Sequence, residues 1–109
     1  MAIDAAAVSQ QMFDAAFAVL KGKAPSIGGF VQGECAKIAQ TFTTIEAGVQ
    51  SGDISEAQAS ILLDMQRSAT RSVLLSAEGL GALAVEQAIN AALGVVRPIV
   101  NAALGFALI

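Results

Sequence analysis

Histidine, tryptophan and tyrosine are absent from this 109-residue chain, and cysteine occurs once. Each absence closes a class of function. Without histidine, and with a single thiol, the chain lacks the usual groups for proton transfer near neutrality and lacks a recognisable metal-ligand set. Gly22-Lys23 has neither the spacing nor the strand context of a phosphate loop. The expectation is a non-enzyme without a cofactor and with no small-molecule substrate. Cys35 has no partner for an intrachain disulfide, and among apolar neighbours it reads as a small buried hydrophobe.

Aromatic stacking platforms are missing too, since the only aromatics are five phenylalanines at helical core spacing. Basic charge is sparse: six Lys and Arg are scattered along the chain and the net charge is -3. A nucleic-acid binder needs clustered cations, so nucleic acid is excluded as a partner. The first residues carry no basic segment, and Asp4 interrupts the place where a secretory hydrophobic region would begin. A cytoplasmic protein is expected, with membrane association open.

What the chain has in excess is apolar surface. Hydrophobic residues reach 55% before the 10 glycines are counted, where roughly 45–50% with glycine included is usual. Charged residues stand at 14%, against about 25% in typical soluble domains. Mean hydropathy is +0.66.

The periodicity is helical throughout, which predicts an all-α, alanine-rich bundle of three to four helices in a single domain, 1–109. An amphipathic antiparallel hairpin, 1–52, precedes a long or kinked apolar segment, 53–109. In the first helix, about Ile3 to Lys21, Asp4 lies near the positive end of the dipole and Gly22 acts as the stop. Its apolar stripe is Ile3, Ala6, Phe13, Ala16, Phe17 and Leu20. Pro25 breaks the chain and Ser26 is a candidate cap for the second helix, about Ile27 to Gln50. There Val31, Cys35, Ile38, Phe42, Ile45 and Val49 alternate steps of four and three as a heptad seam, with Glu34 and Lys37 paired away from it.

Gly52 closes that helix, and Ser55 with Gln58 reads as a capping box opening the third. Leu62, Met65, Ala69, Val73, Ser76, Leu80 and Leu83 lie near one stripe, and Asp64, Arg67, Arg71 and Glu78 gather on another. The spacing of Asp64, Arg67 and Arg71 suits either an anion clamp or a solvated ion-pair face. Gly79 and Gly81 are candidate bends. Pro98 is the firmer break, dividing a helix at Gly81–Arg97 from a terminal piece. The alternative is one kinked helix from Glu56 onward, about 80 Å long, that needs neighbouring copies to bury it.

The C-terminal segment contains one unit twice, Ile89-Asn-Ala-Ala-Leu-Gly94 and Val100-Asn-Ala-Ala-Leu-Gly105. Eleven residues is three turns at about 3.67 per turn, so Asn90 falls over Asn101 and Gly94 over Gly105. This predicts a contact surface, in which the asparagines specify register and the small residues permit close helix approach. Glu86 and Arg97 share a stripe, either pairing between chains or reaching to water at the rim. The candidate interface is Leu80, Leu83, Ile89, Asn90, Leu93, Gly94, Val100, Asn101, Leu104 and Gly105. Its expected partner is another copy of the chain, in a structural or assembly role. The alternative partner is membrane lipid, met by a small pore former or peripheral anchor. For that alternative Ala88–Ile109 is long enough to span, but Arg97, two Asn and Pro98 bring its insertion energy close to zero.

Overall fold

Asp4 opens the first helix: its Oδ1 accepts the Ala6 and Ala7 amides at 3.1 and 3.2 Å, satisfying two donors that a helix start leaves unpaired. The computed structural model describes residues 2–23, 25–77 and 79–109, so Glu78 of the expected charged face lies outside the described residues. Four helices follow in order, α1 (Ala5–Leu20), α2 (Gly28–Ser51), α3 (Glu56–Leu75) and α4 (Ala82–Leu104). The described residues contain no strand. The longest dimension is 42 Å, which rules out the 80 Å rod.

Each helix packs on its chain neighbours, and α4 closes the bundle by lying along α1 and, less extensively, α3. The hairpin 1–52 is antiparallel: Ile3, before α1, bonds Glu46 near the end of α2, while Phe17, late in α1, lies beside Gly28 at the start of α2. A Cβ at Gly28 would sit 3.6 Å from the Phe17 ring. The largest fully buried side chains include Met12, Leu20, Ile38, Phe42, Val96 and Val100.

The heptad seam of α2 holds. Val31, Cys35, Ile38, Phe42 and Ile45 are buried, and Val49 is half-buried. Glu34 departs from its expected place: it is buried, with Oε2 bonded to the exposed Lys37 at 2.9 Å. Lys37 offsets the charge at that oxygen, while Oε1 is buried without a partner.

On α1 the buried row is Val8, Met12, Ala16 and Leu20, whereas Ala6 is exposed and Phe13 and Phe17 stack half-buried at 5.3 Å. Alanine lines several faces of this helix, so periodicity alone does not choose between them. The large Met12 does, by filling the core.

Helix ends follow local chemistry. Gly52 closes α2 in the left-handed region at φ 81, its amide and those of Asp53 and Ile54 meeting the last carbonyls. The Ser55–Gln58 capping box forms with both bonds present. Two stops differ from expectation. Gly22 does not take the left-handed conformation; α1 ends at Leu20, and Lys21 and Lys23 bond back to Phe17 and Leu20. Ser26 does not cap α2, which is entered through a 3-10 turn, Pro25–Ile27, with Ile27 at the cap position and no side-chain bond.

Two larger corrections concern the C-terminal half. α3 buries Ala59, Leu63, Thr70 and Leu74, and it turns Met65 and Ala69 outward with Leu62 half-buried. The helix carries two apolar rows, and the inner one leaves Arg67 and Arg71 within reach of α4. Pro98 does not end α4, which runs unbroken to Leu104. Pro98 is exposed, and the carbonyl it leaves without a donor belongs to Gly94, whose missing side chain leaves open space. Water can take that carbonyl, so the helix survives the proline. The actual break is at 76–81, where Gly79 adopts φ +89 and Gly81 caps α4 in an extended conformation.

Candidate functional site

α3 and α4 meet along a polar ladder. Arg71 Nε donates to Glu86 Oε1, and Arg67 Nη2 donates to Asn90 Oδ1 at 2.6 Å while lying 4.0 Å from Glu86 Oε2. As the α3 partner moves four residues back, the α4 partner moves four forward, so the helices are antiparallel with side chains one turn apart. The hydrogen bond from Arg71 holds the Glu86 carboxyl below its ordinary pKa. Glu86 is therefore engaged within its own chain. Arg97 is exposed and has no ion-pair partner among the described residues.

The two asparagines of the repeat have different duties. Asn90 is exposed and receives Arg67. Asn101 Oδ1 accepts the Leu108 and Ile109 amides at 2.9 and 3.1 Å, folding the tail back over the end of α4. Gly105 supplies the left-handed turn at φ 82 that starts this return.

The ten residues of the expected interface divide by depth. Ile89, Leu93 and Val100 belong to the chain's own core, with Leu80 and Leu104 half-buried against it. Leu83 is the most exposed large hydrophobic residue among the described residues, at 73%. Asn90 and Gly105 are exposed, and Gly94 and Asn101 are intermediate. A Cβ on Gly94 would meet nothing within 4 Å, so its closeness to another helix is not used inside the protomer. Val95 and Ile99 are also exposed on α4, round the helix from the stripe that Leu83, Asn90 and Gly94 share, and the repeat alone does not mark them.

A second surface lies between α2 and α3. Lys37, Gln40, Thr41 and Thr44 face Leu62, Met65, Gln66 and Ala69 across an open groove of about 540 Å³. Of its lining Met65 is 64% exposed, and Ile61, one turn earlier on α3, is 57% exposed. The signal was present in the sequence as the Leu62-Met65-Ala69 stripe, whose spacing is real although it faces away from the core.

Among the described residues no group of three or more His, Cys, Asp or Glu could hold a metal. Burial pushes the Cys35 thiol up to about 12, with the Glu34 carboxylate adding to the shift. α4 is the one described helix long and apolar enough to cross a membrane, with mean hydropathy 1.3 and 44% of that stretch buried in the bundle. Compared with known protein families, characterised proteins and solved structures, the chain shows no significant match.

Proposed function

We propose that this is a non-enzymatic, self-associating helical protein with a structural or assembly role, whose copies meet through the open face of α3, aided by the outward side of α4. The observation that carries the reading is the row Ile61, Met65 and Ala69 with Leu62 beside it, apolar at i, i+4 spacing and uncovered by the chain's own core. The row is self-complementary. An antiparallel pairing centred on Met65 sets Ile61 of one copy against Ala69 of the other, large against small, as closed two-fold symmetry requires. Met65 at the centre is unbranched and adapts to a like residue across the axis.

Light scattering after size exclusion tests this. A defined oligomer without detergent, unaffected by liposomes and reduced to monomer by Met65→Glu, is expected.

One observation favours a second reading, in which the protein acts on membranes: the length and hydropathy of α4. Its buried residues Val85, Ile89, Val96 and Val100 line the core that α1 and α2 share. Insertion therefore requires the bundle to open, and a liposome-bound monomer with loss of native packing is the outcome that reading demands.

A further inference from the structure

Where α3, α4 and the returning tail meet, a cavity of about 220 Å³ has a polar lining of Asp64, Arg67, Asn90 and Arg97. Its aliphatic lining comes from Leu63 and Leu93, both anchored in the core, and from Leu108 and Ile109. The tail residues are held in place by Asn101, so both asparagines of the 11-residue repeat serve this one cavity. Two guanidinium groups meet here. Arg67 Nε is buried and unpartnered although Nη2 is engaged by Asn90, and Arg97 has no ion-pair partner among the described residues. A buried unpaired donor is costly, and a guanidinium fork is matched best by a carboxylate.

We propose that this cavity binds a short aliphatic monocarboxylate, its carboxylate between Arg67 and Arg97 and its hydrocarbon against Leu93 and Leu108. Charge selects the class. Arg67 and Arg97 are the cationic groups of the lining, and Asp64 in the same wall disfavours a doubly charged phosphate relative to a monoanion. Size selects the length: the volume is roughly seven times a liquid-water share and lies below the range of drug-sized pockets, which suits an acid of roughly four to eight carbons.

The test is a titration of the 15N-labelled full chain with hexanoate, hexanol and inorganic phosphate, followed by chemical shift. Hexanoate is expected to move the Asn90, Leu93 and Leu108 amides saturably, and the other two are not. Arg97→Gln should weaken hexanoate about tenfold or more with an unchanged melting temperature, because Arg97 is exposed and has no ion-pair partner among the described residues. Absence of saturation, equal binding of hexanol, preference for phosphate, or wild-type affinity in Arg97→Gln would each overturn the proposal.

Discussion

Arg67 Nη2 meets Asn90 Oδ1 at 2.6 Å, and with the Arg71–Glu86 bond one turn along it fixes the register of α3 against α4. The ladder has a pH signature. Because Glu86 is held below its ordinary pKa, its contribution is present above that ordinary value and is lost as pH falls through the depressed one. Melting temperature measured from neutral pH into the acid range should fall less steeply in Glu86→Gln than in the wild type. Identical slopes would remove Glu86 from the account.

Cys35 gives the opposite sign. With its thiol raised from 9.0 to about 12, the folded state holds a proton that the unfolded chain releases, so stability is full below the lower value and declines between the two. A thiol reagent such as Ellman's should leave the native protein unmodified near neutrality and react once denaturant is added. Rapid native labelling would contradict the buried placement.

Two glycines of α2 separate packing from helix propensity. A Cβ at Gly48 would lie 2.1 Å from Ile54 Cδ1 and 3.0 Å from its Cβ, whereas Gly33 has nothing within 4 Å. Gly48→Ala should destabilise by about 1–3 kcal/mol through overpacking, and Gly33→Ala should stabilise by roughly 0.5–1 kcal/mol. Urea unfolding of both variants checks the difference in sign.

Asn101 holds the tail by two amide bonds. Asn101→Ala should cost about 1–2 kcal/mol and deprotect the Leu108 and Ile109 amides in hydrogen exchange. Asn90→Ala, at an exposed site, should leave those amides protected. Equal exchange in the two variants would mean that the tail is held by packing alone.

Much of this fold is legible in the sequence because its signals are local. The α2 seam, the Gly52 stop and the Ser55–Gln58 box each depend on residues within a few positions of one another. The misreadings arise where two faces of one helix are similarly apolar, as on α1 and α3, and only contact with another helix decides which turns inward. Pro98 misleads for a related reason: a proline breaks a helix when the carbonyl it orphans is enclosed, and exposure is not visible in sequence. The repeat announces a surface, yet its two asparagines bond to α3 and to the tail, partners that only the folded chain brings near.

The measurement that bears most directly on the central claim is the native mass of the wild type beside Met65→Glu and Gly94→Leu. Both sites are open in the protomer: Met65 is 64% exposed, and Gly94 has free space where a side chain would stand. The account predicts a defined wild-type oligomer, a monomeric Met65→Glu with wild-type melting behaviour, and a weakened Gly94→Leu. A wild type that is monomeric at high concentration, or a Met65→Glu variant of unchanged mass, would contradict it.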